Sequence, residues 1–186
     1  MPTLKGLRVA ILATDGVEEL ELTEPMRALS EADAEVEILS NKLRPIHVFR
    51  QYEKSTTLGV HGDIKTAQCK DYNAVLLPGG ALNAEILRAL PEVQSVLRQM
   101  QAKRIPIAAT CHAAWELISA GLVCGRTLTG HPKIRDDIQR AGGNWSEQGV
   151  VVDDNWITSR LSSDLSEFNR EMLNLFSQLS LAGSYA

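Results

Sequence analysis

The stretch "IPIAATCHAAWELISAGLVCG", Ile105–Gly125, decides how the rest of the chain is read. It is a short apolar run that stops on Cys111-His112, with a helix-like pattern starting at once behind it. A buried strand turned sharply into a helix lifts its last side chain above the sheet, as the nucleophile elbow does for hydrolase serines. Amides at the start of the following helix favour a thiolate over a thiol. The plainer reading stands beside it, since free cysteine packs as a small hydrophobe in many cores. His112 carries less information, because adjacent residues on a helix do not face each other and it need not touch the Cys111 sulfur. Paired with an acid, it serves as a base toward a substrate.

Outward from that stretch the pattern repeats. "LRVAILA" (Leu7–Ala13), "AEVEILS" (Ala34–Ser40) and "NAVLLPGG" (Asn73–Gly80) are short apolar runs bounded by turn signals, as expected of strands buried on both faces. Between them, "PEVQSVLRQMQAKR" predicts a helix with Pro91 in its first turn and Val93, Val96, Leu97 and Met100 on one stripe. Lys103 and Arg104 close it where cations are favoured. "GVVVDDNWITSR" predicts a β-hairpin about Asp-Asp-Asn. The last helix is expected to open on a capping box of Asp164 and Glu167. Leu165, Phe168, Met172, Leu175, Phe176 and Leu179 give it an apolar face. The segment "KLRPIHVFRQYEKSTTLGVHG" mixes β-formers with turn residues and is read as an antiparallel excursion. Strands alternating with helices imply βαβ units, hence an α/β fold with a mostly parallel sheet and helices on both faces.

The 186 residues suit one domain spanning 1–186, 44% hydrophobic and so able to build a core. The N-terminus lacks the apolar region of a secretory signal, and no run approaches the roughly 18 apolar residues of a membrane helix. A net charge of −4 with scattered Lys and Arg argues against nucleic acid as the main partner. Cys69, Cys111 and Cys124 form neither a disulfide framework nor a metal-ligand spacing, which points to a reducing, cytoplasmic setting. Cys69, before a turn, and Cys124, beside a glycine taken to end a helix, look structural. His47 and His61 give no metal-binding constellation with His131, and no cofactor is implied.

Two further strand ends carry chemistry, and in open α/β sheets ligands bind at such ends. After "LLP", Gly79-Gly80 lets the backbone approach whatever lies above the sheet, and exposed amides there, with that of His112, suit an oxyanion. A plain glycine turn reads the same way. Glu85 follows early in the next helix, where the dipole alone favours a carboxylate. After the first strand, Asp15 and Glu18 have capping-box spacing, and Glu18, Glu19 and Glu24 read as solvated surface. Glu21 differs. Pro25 cannot bond its carbonyl, and a helix loosened there can aim the Glu21 carboxyl at the sheet end. Buried, that carboxyl would keep its proton and donate it to a thiolate.

Together these residues resemble the PfpI (intracellular protease I-like) family of the class I glutamine amidotransferase-like superfamily. The resemblance runs nearly end to end and is carried most specifically by "LLPGG", "ATCHAAWELISAGLVCGRTLTGHPKIRDDIQRAGGNW" and "VVVDDNWITSR". It implies a flavodoxin-like sandwich that assembles as dimers or larger oligomers. By the same resemblance Cys111 is the nucleophile, His112 its neighbour in the catalytic set, and Glu21 the acid that contacts the sulfur. Glu85 falls where the family places an acid reaching the histidine of an adjacent subunit. Two departures stand out: Ala113-Ala114-Trp115 replaces a common Gly-Pro after Cys-His, and His131 replaces an aromatic residue before the later proline. His131 is read as a loop residue rather than a ligand. The family implies a stress-response enzyme that hydrolyses peptides or removes methylglyoxal-type adducts. The other reading is a redox sensor or chaperone with an oxidisable Cys111 and no turnover.

Overall fold

The structure, a computed structural model, describes residues 2–183, with side chains described as far as residue 178. Along the chain run β1 (Arg8–Leu12), β2 (Val17–Glu18), α1 (Glu19–Glu31), β3 (Glu35–Ser40), β4 (Ile46–Arg50), β5 (Glu53–Leu58), β6 (Gly62–Asp63) and β7 (Ala74–Leu77). There follow α2 (Ala81–Arg88), α3 (Pro91–Ala102), β8 (Ile107–Thr110), α4 (Ala114–Ser119), β9 (Thr127–Leu128) and α5 (Arg135–Arg140). The chain closes with β10 (Asn144–Trp145), β11 (Val150–Asp153), β12 (Trp156–Ser159) and α6 (Leu165–Gly183).

The main sheet has the order β11-β12-β8-β7-β1-β3-β6, parallel throughout except for the β11–β12 hairpin. In β1, Ala10 and Leu12 enter one core while Val9 and Ile11 enter the other, which is why the strand is apolar at every position after Arg8. The first core lies under α2 to α5 and takes Val93, Val96, Leu97 and Met100 from α3, as the stripe predicts. The second lies under α1 and α6 and takes Leu165, Phe168, Met172, Leu175 and Phe176. Leu179 lies outside the described side chains. This is the flavodoxin-like three-layer α/β sandwich.

The illegible segment is indeed an antiparallel excursion. β4 and β5 pair as a hairpin, and β2 joins it in parallel. The acids after β1 hold it, so the Asp15–Glu18 capping box does not survive, nor does the solvated-surface reading of Glu18 and Glu19; Glu24 does lie on the surface, paired with Arg27. Asp15 accepts the His47 N–H at 2.9 Å and pairs with Arg44 at 2.7 Å. Glu18 accepts the Gln51 N–H at 3.0 Å, and Glu19 binds Arg50 at 3.0 Å and the Ser55 hydroxyl at 2.7 Å. The Asp164–Glu167 box is corrected too. Asp164 precedes α6, where its carboxylate accepts the Leu161 N–H at 3.2 Å and pairs with Arg160 at 3.1 Å.

Candidate active site

β1, β7 and β8 lie side by side in the sheet, and their carboxyl ends converge. The crevice falls beside the switch point, where the chain leaves β1 for β3 on one side and returns to β7 on the other. Asn83 ties two of these ends together, accepting the Thr14 N–H at 2.8 Å and donating to the Pro78 carbonyl at 3.0 Å.

Cys111 follows β8 with φ of 58°, in the left-handed region that costs a non-glycine residue on the order of 1 kcal/mol. It opens a 3₁₀ turn, Cys111–Ala113, that leads into α4. The His131 N–H holds the strained residue by its carbonyl at 3.0 Å. The elbow expected from the sequence is present.

Gly79 lies so close above it that a Cβ there would collide with the Glu21 carboxylate and sit 2.6 Å from the Cys111 Cβ. Gly80 has φ of 98° and passes against the backbone of Gly16 and Glu18. Their amides do different jobs. The Gly79 N–H donates to Thr110 Oγ1 at 3.0 Å, so it is removed from the expected oxyanion set. The Gly80 and His112 amides instead donate to the Cys111 sulfur.

Glu21 is inside α1, 3% exposed, with Pro25 one turn on. One carboxyl oxygen accepts from Ser162 Oγ at 3.0 Å; the other lies 3.3 Å from Thr110 Oγ1. The carboxyl also hydrogen-bonds the Cys111 sulfur. Burial pushes its pKa up to about 7. Burial likewise pushes the Cys111 thiol up, the Glu21 charge adds to this, and the His112 and Gly80 amides work the other way. Desolvation therefore outweighs the amides that favour a thiolate. Two anions do not share this site, and the pair holds at least one proton. A thiolate is compatible with it when that proton sits on Glu21 and is donated to sulfur.

His112 does touch Cys111: its Nδ1 lies 3.2 Å from Sγ. The left-handed backbone of Cys111 breaks the helical geometry that would have kept the two apart. The His112 ring is flanked by Trp115 at 5.2 Å and stacked on His131 at 4.2 Å, 20° from parallel. Burial first, then the charges of His131 and Lys133, lower its pKa to about 4, so it is neutral at pH 7. One donor atom from each of Cys111, His112 and His131 lies within 4.8 Å of the others, so His131 is no bystander. Sulfur with two imidazoles is a donor set that soft cations accept. Two features oppose a cation here. His131 Nδ1 accepts the Lys133 N–H at 3.2 Å, which assigns the neutral ring's proton to Nε2, and the Lys133 charge lies close by.

Glu85 is not in the site of its own chain; its side chain is 64% exposed and 3.7 Å from Arg88. Cys69 is buried, with Sγ 3.5 Å from Gln99 Oε1. Cys124 is exposed, and α4 ends at Ser119, well before it, so it does not flank a helix end. Thr110 and Ser162, which bind the Glu21 carboxyl, escaped the sequence reading. Thr110 at least adjoins Cys111, whereas nothing local marks Ser162, 141 residues from Glu21.

A strained cysteine on the elbow of a parallel sheet, contacted by an imidazole and a buried carboxyl, defines a cysteine-elbow protein of the flavodoxin-like α/β class. The chain belongs to the DJ-1/PfpI family, whose model matches residues 7–175. Deglycase TK1284 of Thermococcus kodakarensis is 35% identical over 91% of this chain and 99% of its own length. YraA of Bacillus subtilis, which bears a provisional cysteine-protease name, is 34% identical over 90% of this chain and 97% of its own. Among solved structures, a two-domain protein of Anabaena variabilis with DJ-1/ThiJ/PfpI-like and ferritin-like domains superposes with a TM-score of 0.86 at 28% identity. That match covers 90% of this chain but only 47% of the other. Schizosaccharomyces pombe DJ-1 shares the fold, with a TM-score of 0.80 at 22% identity over 95% of this chain and 98% of its own.

Proposed function

We propose that the chain is a single-domain cysteine hydrolase that attacks small electrophilic carbonyl or acyl groups through Cys111, with carbonyl adducts of the deglycase type preferred over peptides. The observation that carries this reading is the contact set of one sulfur: His112 Nδ1 at 3.2 Å, the Glu21 carboxyl, and two converging amides. Sulfur forms a bond to the carbonyl carbon while His112 Nδ1 takes the thiol proton. The Gly80 and His112 amides, which converge on the sulfur, are the donors proposed for the resulting oxyanion. With an acyl substrate the oxyanion collapses and expels the amine or thiol, to which His112 returns the proton, and water hydrolyses the acyl-enzyme to the acid and the free thiol. A carbonyl adduct becomes such an acyl substrate when its hydroxyl-bearing carbon is oxidised as the neighbouring carbonyl is reduced, an internal hydrogen transfer that needs no outside oxidant. Cys111 is only 7% exposed, which suits a small electrophile better than a polypeptide. Relatives named deglycase support the same preference. The setting proposed is a cytoplasmic response to carbonyl stress.

The test is methylglyoxal-adduct hydrolysis, alongside peptide cleavage, by wild type, Cys111→Ser and Cys111→Ala. Both variants are expected to fall to the uncatalysed rate. A wild-type rate in either would end the proposal.

One observation favours the second reading, a redox sensor. The protonated Glu21 carboxyl hydrogen-bonds the sulfur, and such a donor stabilises a sulfinate formed by peroxide. Intact mass after mild peroxide distinguishes the two. Uptake of two oxygens at Cys111 alone supports the sensor, and equal oxidation of all three cysteines counts against it.

A further inference from the structure

The structure gives His131 a place that a loop residue has no need of. Its backbone N–H fixes the Cys111 carbonyl at 3.0 Å, so the loop is anchored to the elbow. Lys133 N–H then fixes the ring through Nδ1 at 3.2 Å. The ring lies flat on His112, 4.2 Å between centroids. Trp115 also flanks His112, tilted 53° to it with centroids 5.2 Å apart, and is itself held by Asp137 at 2.8 Å through the indole N–H and by Arg88 over its ring at 5.1 Å. An imidazole on a surface turn has several rotamers open to it. Here two anchored rings pack against the imidazole in the rotamer that puts Nδ1 on the sulfur. In the Ser-His-Asp arrangement a carboxylate does this orienting work; among the described residues no carboxylate hydrogen-bonds His112.

We propose that His131 is a positioning residue for His112, holding the imidazole by ring stacking so that Nδ1 stays on the Cys111 sulfur. The proposal rests on the reading of Cys111 and His112 as the reactive pair. It assigns the work of an orienting acid to a neutral ring within the same chain. Burial first, with the stacked His131 adding to it, disfavours the charged form of His112. Among the described residues, Cys111 touches that ring, His131 and Lys133 on the loop before α5 act on it through charge, and Glu21 on α1 contacts the Cys111 sulfur. His131 and Lys133 oppose its protonation, and Arg88 lies beyond Trp115. Glu85 pairs with Arg88 rather than with the imidazole.

His131→Phe keeps a stacked ring and loses the second titratable group; His131→Ala loses both. Either variant retains the backbone bond to Cys111, so the effects report the ring. Two measurements suffice: the site-resolved rate of Cys111 alkylation by iodoacetamide at neutral pH, and the NMR titration of the His112 ring proton. In His131→Ala the rate should drop about tenfold, the scale of a lost orienting contact. In His131→Phe it should stay within about threefold of wild type, while the His112 midpoint moves to higher pH. A His131→Ala protein that alkylates at the wild-type rate overturns the proposal, and so does a His131→Phe protein as slow as His131→Ala. Should His131→Ala fail to fold, His131→Phe decides alone: a rate about tenfold or more below wild type, with a stacked ring still present, overturns the proposal. If wild-type Cys111 reacts no faster than the same cysteine in urea-unfolded protein, the underlying pair fails, a result distinct from any of these.

Discussion

Cys111 and Glu21 share too little water to carry two negative charges, and this coupling governs the behaviour of both. Replacing the acid by Gln leaves a hydrogen-bond donor beside the sulfur and removes the repelling charge. Glu21→Gln should therefore shift the alkylation profile of Cys111 to lower pH by about one unit or more. Site-resolved labelling across pH reads the shift, and a profile that stays put or moves upward would show that the carboxyl does not control the sulfur. The same carboxyl affects stability, with a definite sign. Its folded midpoint of about 7 lies above the ordinary 4.5. The folded state thus holds a proton that the unfolded chain has lost. Its contribution is complete below about pH 4.5 and disappears as pH rises toward about 7. Thermal unfolding of wild type should weaken across that window, and Glu21→Gln should flatten the slope.

Among the elements, α4 carries a second buried acid. Glu116 is fully buried, and neither carboxyl oxygen has a partner among the described residues. Burial raises its pKa well above the ordinary value, so it opposes folding increasingly as pH rises past 4.5. Glu116→Leu should stabilise the protein by about 1–3 kcal/mol at mildly alkaline pH. At pH 5 the gain should be smaller, and urea unfolding at both values measures the difference; an equal effect at the two would refute the buried-acid account. The loop between β7 and α2 is tight enough for another test. Gly79→Ala drives a methyl into Glu21 and Cys111, and it should lower both the melting temperature and Cys111 reactivity. These elements also show what the sequence could disclose. The strands β1, β7 and β8 were legible because each is buried on both faces, β3 because its carboxyl half is, and α3 because its stripe is regular. Cys111 was legible because its strand stops there. The contact between Cys111 and His112 was not, because it depends on a positive φ that residue type does not announce. Nor were the jobs of Asp15, Glu18 and Glu19, whose partners lie on a hairpin about 30 residues away. Local capping spacing gave them a plausible role, and tertiary hydrogen bonds won.

For the whole molecule the open term is assembly. His131 stacks on His112, and Nδ1 is on the sulfur, which among the described residues leaves the Nε2 edge for a group from another copy. Glu85, exposed on α2, is proposed to reach that edge in a neighbouring copy. Were this so, the site would be shared, and loss of Glu85 from one subunit would be repaired by another. Glu85→Gln alone should lower adduct hydrolysis, and Cys111→Ala alone should abolish it. Unfolded together in equal amounts and refolded, they should regain about a quarter of wild-type turnover. Half of randomly assorted dimers are mixed, and each mixed dimer holds one intact site of two. Sedimentation run alongside establishes that dimers form. If the mixture gives no more than the mean of the two variants, Glu85 does not serve a neighbour, and the work of orienting His112 belongs to the chain's own residues.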